Sequence, residues 1–419
     1  MLISLAELDE TSISIAGGKG AMLGALMRCK DSLSYHVEVP NGSVIPAYVF
    51  QEWMYSAGIT DERIAQALNV IGKDFVRLEA ATQLLQNKLT ATQLPLALLK
   101  ELTKLPKMRY AVRSSGVGED GLELSFAGQH KSYLNCKTLH QYVRNVWLSA
   151  FNSRALYYRV INNLIHVPIR QAVIIQEMVE PEIAGVAFSA DPRSGDRDVV
   201  LIEHVQGLAD NLVSGSVTPI RNVFRHDSAF IENDRLQVIA KTTIELQHIF
   251  GWPVDIEWAW RQQLYLLQIR PLTALPKAYD PGLVIKIALE HDVYGDPLYI
   301  GESLTQGSAE VLGFITREQA NETLQTTTGF TLSKRILLVH FTTPDDLPIM
   351  EKVAGIVVDE GSITSHAAII CRELGKPCIK VLDINMIQHN NEGYTRSLFY
   401  FDGGRGTIYK MNEAQVCVV

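Results

Sequence analysis

The chain has 419 residues and a formal net charge of −8, with 47% hydrophobic and 20% charged residues, as is usual for a globular protein. This length predicts two or three domains, and the acidic balance argues against a nucleic-acid-binding surface spread over the molecule. No apolar run approaches the length of a membrane span, and acidic residues follow the N-terminus too early for a signal peptide. The five cysteines form no CxxC pair, so we expect a cytoplasmic protein with reduced thiols and with neither a membrane nor a nucleic acid as partner.

A glycine-rich segment near the N-terminus, residues 15–28 (IAGGKGAMLGALMR), places three glycines and Lys19 ahead of a predicted helix. Backbone N–H groups of glycines can approach phosphate oxygens, and a lysine adds positive charge. The segment is not a P-loop, because Ile13 and Gly20 stand where that motif needs a glycine and a serine or threonine. A turn between a strand and a helix, with a solvated lysine, would give the same pattern, so this segment alone does not indicate a phosphate site.

The region up to about residue 275 alternates strand-like apolar runs with predicted helices over 60–104 and 139–163. One apolar run, YAVRSS, carries Arg113 and opens onto small residues within 110–135, where a second glycine-centred turn, SFAGQ, follows. An arginine at the end of a strand suits a phosphate group, because its planar guanidinium can donate two parallel hydrogen bonds. An arginine in a surface ion pair would look the same, and the segment alone leaves both alternatives open.

A hairpin of two antiparallel strands is predicted over residues 255–271 (DIEWAWRQQLYLLQIRP). Asp255 and Glu257 share one face by the period of two, as do Gln268 and Arg270. An acid and an amide suit Mg²⁺, which takes few protein carboxylates together with phosphate oxygens, and Arg270 suits the phosphate itself. A half-exposed hairpin without any ligand would show the same alternation, so that alternative stays open.

A proline-rich stretch, RPLTALPKAYDPG, follows the hairpin and is typical of a domain exit. We expect a linker over 276–298, with a helix-like stretch near 283–291, between a domain over 1–275 and a compact mixed domain over 299–419. Fully extended, such a linker would reach about 75 Å. This reach is enough for the second domain to move between two positions.

The segment 359–377 (DEGSITSHAAIICRELGKP) predicts a strand, a tight turn and a short helix that ends at Gly375. Thr364 or Ser365 would cap the helix, which places His366 in its first turn. The positive end of the helix dipole disfavours an imidazolium and attracts an anion attached to the ring. A histidine that accepts a phosphoryl group needs both properties, although a histidine that only packs or caps would fit the same position.

Taken together, these segments resemble the family of phosphoenolpyruvate synthase, pyruvate phosphate dikinase and rifampin phosphotransferase, over nearly the whole chain. The motifs that resemble its nucleotide-binding domain are, in order, GGKGAMLGALM, VPNGSVIP, AVRSSGVGEDGLELSFAGQ, VIIQEMVEPEIAGVAFSADPRSG, GLADNLVSGSVTP and DIEWAW…LLQIRPLT. The motif that resembles its phosphohistidine domain is TTPDDLPIMEKVAGIVVDEGSITSHAAIICRELGKPCI. The resemblance implies the fold class α/β (α+β), with an ATP-grasp nucleotide-binding domain followed by a small swivelling β/β/α phosphohistidine domain.

The same resemblance implies roles for individual residues, with ATP and Mg²⁺ as cofactors. These are Lys19, Arg113 and Arg270 as ligands of the ATP phosphates, Gly128 and Ser132 in a glycine-rich lid, Gln176 on the strand beside the nucleotide, Glu257 and Gln268 as Mg²⁺ ligands, and His366 as the phosphoryl carrier. Phosphoryl transfer needs in-line positioning and charge neutralisation, which such a set would supply. A histidine intermediate would also let two half-reactions run in separate pockets.

The resemblance does not identify the acceptor of the phosphoryl group. The family normally has a third, acceptor-binding domain, and a TIM-type barrel takes about 200 residues or more, which this sequence does not offer beside the two domains. We therefore expect a small-molecule acceptor that binds between the two domains or on a separate subunit. A smaller departure is Ser362, which stands where the family has a glycine in the turn before His366.

Three function hypotheses follow from these observations. The first is an ATP-dependent phosphotransferase of dikinase type, which phosphorylates His366 from Mg-ATP and passes the phosphoryl group to the acceptor. The resemblance implies AMP and phosphate as the other products, whereas the residues alone do not distinguish AMP from ADP formation. The second is an ATP-dependent ligase or condensing enzyme of a secondary-metabolite pathway that uses the phosphohistidine to activate its substrate. The third is a non-catalytic nucleotide-binding subunit, against which the joint presence of so many charged ligands speaks, because a scaffold does not need them.

Overall fold

The computed structural model divides the chain into two compact units. Unit 1 comprises Met1–Ser189, Gln206–Leu208 and Ser228–Thr273, and unit 2 comprises Ala190–Val205, Ala209–Asp227 and Ala274–Val419. The structure describes residues 1–117, 132–210, 212, 217, 219–227, 234–272, 275, 297–325, 332–363, 365–385, 387 and 398–410. Nearly all of the predicted linker 276–298, with its helix-like stretch, lies outside the described residues.

The helices of unit 1 confirm the predictions for 60–104 and 139–163. They are α1 (Ile13–Cys29), α2 (Ala47–Ser56), α3 (Asp61–Ile71), α4 (Phe75–Ala91), α5 (Leu96–Lys104), α6 (Leu139–Ser149), α7 (Ser153–Ile161) and α8 (Arg235–Phe250). The side chains of Thr60, Asp74 and Asn152 accept hydrogen bonds from backbone N–H groups in the first turns of α3, α4 and α7. These caps satisfy backbone donors that have no partner inside a helix.

A five-stranded sheet forms one wall of unit 1. Its strands are β1 (Ile3–Ser4), β3 (Gly42–Ile45), β4 (Tyr110–Gly116), β5 (Ser132–Cys136) and β6 (Gln171–Glu177), in the spatial order β1-β3-β6-β4-β5. All four pairings are antiparallel. In β4 every residue is buried except Arg113, which is partly exposed. The sheet therefore presents one charged side chain from an otherwise apolar or small-residue strand.

A second group of strands in unit 1 contains the predicted hairpin. Its strands are β2 (Val37–Glu38), β7 (Ile183–Phe188), β10 (Val254–Arg261) and β11 (Gln263–Pro271), which lie side by side in the order β2-β11-β10-β7. In the hairpin Asp255 lies opposite Arg270, and Glu257 lies opposite Gln268. Because residues directly opposite each other point to the same side of a sheet, all four side chains lie on one face. The sequence predicted a shared face only within each strand.

Unit 2 contains the β8–β9 pair and two further sheets. Its elements are β8 (Val199–Gln206, the last residue belonging to unit 1), β9 (Ile220–Arg225), β12 (Tyr299–Ile300), β13 (Glu302–Thr305), β14 (Ser308–Val311), β15 (Phe314–Thr316), β16 (Ile336–Leu338), β17 (Gly355–Val358), β18 (Cys378–Lys380), β19 (Phe399–Asp402), β20 (Thr407–Lys410), α9 (Arg317–Gln325), α10 (Leu347–Met350) and α11 (His366–Glu373). One sheet has the order β12-β20-β19-β14 and the other β13-β18-β17-β16-β15. Strands β15 to β18 are parallel neighbours, so the loops that follow them meet at one edge of the sheet.

Each unit has its own aromatic core. In unit 1 the rings of Phe50, Trp53 and Trp147 are mutually in contact, with centroids 5.1 to 6.3 Å apart. In unit 2 Phe314 of β15 and Phe399 of β19 pack with centroids 5.3 Å apart, in the apolar cluster that joins the two sheets. Burial of such large apolar side chains is the main term that stabilises each unit.

Two findings concern the cysteines and the possibility of a membrane-spanning helix. The cysteines in the described residues, Cys29, Cys136, Cys371 and Cys378, form no disulfide. In the part of the chain that the structure describes, no helix combines the length and the apolar character needed to cross a membrane.

The glycine-rich segment forms a break inside α1, where the sequence favoured a turn between a strand and a helix. Residues on both sides of Gly17 are helical, whereas Gly17 itself has φ 69° and ψ 172°, a conformation that glycine alone adopts readily. The Ser115 hydroxyl spans the break, because it donates to the Ala16 carbonyl (2.6 Å) and accepts from the Gly20 N–H (3.0 Å). Lys19 therefore lies at the start of the second helical part of α1, next to a strand-borne hydroxyl.

Replacement of Gly17 should destabilise the chain more than its backbone strain alone explains. A Cβ on Gly17 would lie 2.1 Å from the Ser115 carbonyl oxygen, whereas a Cβ on Gly72, which also has positive φ, meets nothing within 4 Å. We expect Gly72→Ala to lower the free energy of unfolding by about 1–3 kcal/mol through backbone strain. Gly17→Ala should lower the thermal unfolding midpoint at least twice as much as Gly72→Ala does. Tryptophan fluorescence during heating measures both midpoints. Equal shifts would contradict the close approach of Gly17 to β4.

Candidate active site

Arg113 joins the five-stranded sheet to the β10–β11 hairpin. Its Nη1 donates to Glu257 Oε2 (3.0 Å), to the Leu267 carbonyl (3.3 Å) and to Gln268 Oε1 (3.5 Å). The Arg113 side chain is only 11% exposed, and a charge at that depth needs acceptors around it. The structure thus brings together three residues that the sequence predicted separately, although Arg113 and Glu257 are 144 positions apart.

The oxygens around Arg113 are a donor set that fits a hard cation. Glu257 Oε2 and Gln268 Oε1 both accept from one nitrogen, so they converge on one point, and oxygen ligands of this kind are what Mg²⁺ prefers. The Nε of Arg113 is buried and has no hydrogen-bond partner within the described residues. Buried N–H groups are rarely left unsatisfied in native proteins. The guanidinium therefore keeps a donor available for an anion, while its neighbours supply cation ligands.

Arg270 is oriented by the carboxylate of Asp255, for which the sequence predicted a face of the hairpin but no partner. Its Nε donates to Asp255 Oδ2 at 2.7 Å, and Asp255 is 5% exposed. The pairing arises because the two residues lie opposite each other in the hairpin. The alternation pattern showed that Asp255 belongs to the same face as Glu257, but only the strand register shows that it faces Arg270.

Ser132 and Gln176 lie on the same face of the five-stranded sheet as Arg113. Ser132 lies opposite Arg113 in the β4–β5 pair, and Gln176 lies opposite Ala111 in the β4–β6 pair. Directly opposite residues share a face, and residues two apart on a strand do as well. The Gln176 amide is buried and donates from Nε2 to the Pro40 carbonyl (3.3 Å).

The two remaining predicted nucleotide ligands have different outcomes. Lys19 is partly buried on α1, and α1 packs against β4, β6 and β11, three strands that carry Arg113, Gln176, Gln268 and Arg270. Gly128, predicted in a lid, lies outside the described residues. The structure therefore gathers Arg113, Glu257 and Gln268 into direct contact and places Lys19 on an adjoining helix.

In unit 2, His366 is the first residue of α11, as predicted. Ser365 caps the helix, because its Oγ accepts from the Ala368 N–H (3.5 Å), and Gly375 follows the helix with φ 64°. The His366 ring is nearly buried, and its Nδ1 shares a hydrogen bond of 2.9 Å with Thr342 Oγ1. This contact occupies Nδ1 of the ring.

Thr342 is held by the loop that follows β16. Arg317, at the start of α9, donates to both carboxylate oxygens of Asp346 (2.7 and 2.9 Å) and to the Phe341 carbonyl (2.6 Å). Asp346 also accepts from the Thr343 N–H at 2.7 Å. These bonds fix the residues on both sides of Thr342. Thr342 was not singled out from the sequence, although it lies in the TTPDD motif that carried part of the resemblance.

A second histidine lies at the same edge of the parallel strands. His340 Nδ1 is 2.9 and 3.0 Å from the two carboxylate oxygens of Asp359, and its side chain is 60% exposed. His366 differs from His340 because it starts a helix and because a hydroxyl, rather than a carboxylate, contacts its Nδ1. This difference makes His340 a natural control for His366.

Two family models match the chain along most of its length. The model of the pyruvate phosphate dikinase, AMP/ATP-binding domain matches residues 13–232 and 221–283. The chain belongs to this pyruvate phosphate dikinase family. A second model, the PEP-utilising enzyme, mobile domain, matches residues 332–395, which include His366. The family and the fold class predicted from the sequence, an ATP-grasp-type domain followed by a mobile domain, are confirmed.

Curated relatives of the chain include three phosphoenolpyruvate synthases. A probable phosphoenolpyruvate synthase of Methanothermobacter thermautotrophicus is 31% identical over 96% of this chain and 62% of the relative. One from Archaeoglobus fulgidus is 29% identical over 97% of this chain and 58% of the relative. The phosphoenolpyruvate synthase of Aeropyrum pernix is 27% identical over 98% of this chain and 58% of the relative. The chain thus spans about three fifths of the length of these relatives.

The Thr342 contact should set the tautomer of His366. With Nδ1–H donating to Thr342 Oγ1, the neutral ring carries its lone pair on Nε2, and Thr342→Val removes the acceptor. We expect ¹⁵N spectra of histidine-labelled protein to show the Nδ1–H tautomer of His366 in the wild type and a mixture of tautomers in Thr342→Val. Thr343→Val is the matched control, because Thr343 bonds to Asp346 instead. An unchanged tautomer in Thr342→Val would contradict the assignment.

Proposed function

We propose that this chain is an ATP-dependent phosphotransferase of dikinase type. In this proposal His366 accepts a phosphoryl group from Mg-ATP and passes it to a small-molecule acceptor, with AMP and phosphate as the nucleotide products. The observation that carries the proposal is the hydrogen bond between Thr342 Oγ1 and His366 Nδ1 at the first residue of a helix. Membership in an AMP/ATP-binding domain family supports the choice of nucleotide.

The chemistry of His366 follows from its position. When Nδ1–H donates to Thr342, the lone pair on Nε2 attacks the β-phosphorus, and a P–N bond forms as the bond to the α-phosphate oxygen breaks and AMP leaves. Water then cleaves the P–O bond to the γ-phosphate, so that phosphate leaves and one phosphoryl group stays on the ring. The backbone N–H groups at the start of α11 favour an anion on the ring. A neutral imidazole with a fixed orientation is a competent nucleophile, because orientation removes much of the entropic cost of the reaction.

The residues around Arg113 are proposed to bind the nucleotide phosphates. Arg113, Arg270 and Lys19 supply positive charge, and Glu257 and Gln268 hold Mg²⁺, which neutralises charge that develops on the phosphate oxygens. In the described residues no group of three or more His, Cys, Asp or Glu side chains is placed to hold a metal ion. A site with one carboxylate and one amide is therefore proposed to take its remaining ligands from phosphate and water, as Mg²⁺ commonly does.

The chain is proposed to have two domains joined by a linker, and pyruvate is proposed as its first candidate acceptor. We propose a nucleotide-binding domain over 1–275, a linker over 276–298 and a phosphohistidine domain over 299–419. The gap between the matched residues of the two family models supports this division. Since the curated relatives are named phosphoenolpyruvate synthases, pyruvate is the first acceptor to test, both alone and with a separate subunit.

Mg-ATP alone should label the protein on His366. We expect wild type incubated with radiolabelled Mg-ATP to carry an acid-labile, base-stable phosphate, His366→Ala to carry none, and His340→Ala to be labelled like the wild type. Equal labelling of His366→Ala and wild type would remove His366 from this role. Absence of label from all three, together with nucleotide binding, would favour a non-catalytic subunit.

Glu257 should matter for the rate of labelling more than for folding. Glu257→Gln keeps a hydrogen-bond acceptor for Arg113 but removes the negative charge that would hold Mg²⁺, so the initial rate should fall by about 100-fold. Arg261→Gln, an exposed change at the other end of β10, is the control and should leave the rate unchanged. A rate in Glu257→Gln within twofold of wild type would exclude Glu257 as a metal ligand.

A further inference from the structure

A buried charge network joins β8, β9 and β13 in unit 2. Glu203 on β8 has no exposed surface. Arg221 on β9 donates to Glu203 Oε1 from Nε (3.0 Å) and from Nη2 (2.5 Å), and its Nη1 pairs with Glu302 on β13. One guanidinium thus pairs with two carboxylates, one of which is fully removed from water.

Ser362 connects this network to the turn that carries His366. Its hydroxyl forms a hydrogen bond with the Glu203 carboxylate, and the hydroxyl must be the donor, because a carboxylate only accepts. Ser362 is 1% exposed. Burial raises the pKa of Glu203, whereas the Arg221 guanidinium and this hydroxyl lower it. A glycine at position 362, as the resemblance to the family would predict, could not make this contact.

Arg193 extends the network towards solvent. Its Nε and Nη2 donate to the two carboxylate oxygens of Asp191 (3.1 and 2.8 Å), and its Nη1 lies 3.6 Å from Glu302 Oε1. Charges therefore alternate in sign from Asp191 to Glu203, through Arg193, Glu302 and Arg221. Such alternation lets each carboxylate be met by a guanidinium, which a buried charge requires.

The members of this network come from segments that two different family models match. Glu203 and Arg221 lie in the AMP/ATP-binding domain match, residues 13–232, whereas Ser362 lies in the mobile domain match, residues 332–395. Within unit 2, therefore, the turn before His366 is bonded to strands of the ATP-binding segment.

We propose that Glu203, Arg221, Glu302 and Ser362 form an ionic latch that holds the His366 turn of the mobile domain against β8 and β9. The latch is an interaction surface between two segments of one chain, and its role in phosphoryl transfer rests on the proposed function. Its parts act together. Separation of the turn from β8 breaks the hydrogen bond between Ser362 and Glu203, and separation of β13 from β9 breaks the ion pair between Glu302 and Arg221. A latch of this kind favours the state in which the His366 turn contacts the ATP-binding segment.

The test uses changes at the periphery of the latch. Removal of Arg221 would leave the buried Glu203 carboxylate without its counter-charge and would unfold the unit, so Ser362→Ala and Glu302→Gln in the full chain are the informative variants. Asp227→Asn is the matched control. Asp227 lies just beyond the end of β9, and its replacement removes an exposed ion pair with Arg225, the last residue of that strand. All variants are compared with wild type by hydrogen–deuterium exchange and mass spectrometry.

We expect faster exchange at the segments that the latch joins. Ser362→Ala should raise the exchange rates of peptides covering 199–205 and 361–366 by about fivefold, as the loss of one hydrogen bond predicts, and Glu302→Gln should do the same for 220–225 and 302–305. Asp227→Asn should leave these four segments unchanged. Unchanged exchange at 199–205 in Ser362→Ala would overturn the latch, and so would faster exchange spread evenly over β15 to β18.

A second measurement separates the latch from the proposed function. With radiolabelled Mg-ATP, Ser362→Ala should form phosphohistidine about fivefold more slowly than wild type, with the same dissociation constant for Mg-ATP. If Ser362→Ala instead bound Mg-ATP about fivefold more weakly than wild type, a role of Ser362 in holding the turn would be overturned. If wild type takes no label, the proposed function fails, while the exchange experiment still decides whether the latch exists.

Discussion

The arrangement of unit 1 depends on the burial of the Arg113 guanidinium. A charge that is almost removed from water has to be met by acceptors, and the β10–β11 hairpin supplies three of them to Arg113. The contact therefore ties two groups of strands together through a single side chain. It also brings a carboxylate, an amide oxygen and a partly unsatisfied guanidinium to one place, which is the combination that phosphate and magnesium chemistry uses.

The same strand organises the glycine-rich segment. Ser115 lies two residues beyond Arg113 and so shares its face of β4, but it bonds to the broken helix α1 instead of the hairpin. The break at Gly17 is possible because a glycine tolerates its dihedral angles and because no Cβ stands between the helix and β4. A motif that looked like a weak phosphate signal in the sequence thus acquires its meaning from the strand against which it packs.

In unit 2 the residues around His366 are brought together at the edge of the sheet where the loops after the parallel strands meet. The loops after β16 and β17 meet there, which is why Thr342 can hold the ring of His366 and why His340 can pair with Asp359. Arg317 and Asp346 then fix the Thr342 loop through charge-assisted hydrogen bonds. On the opposite flank of the His366 turn, Ser362 reaches the buried Glu203. The turn before His366 is therefore restrained by contacts of Ser362 and of His366 itself.

Local signals in the sequence determined much of this. The cap at Ser365, the stop at Gly375 and the position of His366 depend on neighbouring residues. The period of a strand alone places Asp255 on the same face as Glu257, and Gln268 on the same face as Arg270. The sequence motifs also determined the family. What only the tertiary structure decided is which faces meet: the contacts Arg113–Glu257, Ser115–Gly20, Thr342–His366 and Glu203–Ser362 join residues far apart in the chain. Periodicity shows which side of an element a residue occupies, but strand register and the packing of other elements decide what lies opposite it, because they are fixed by the burial of the whole core.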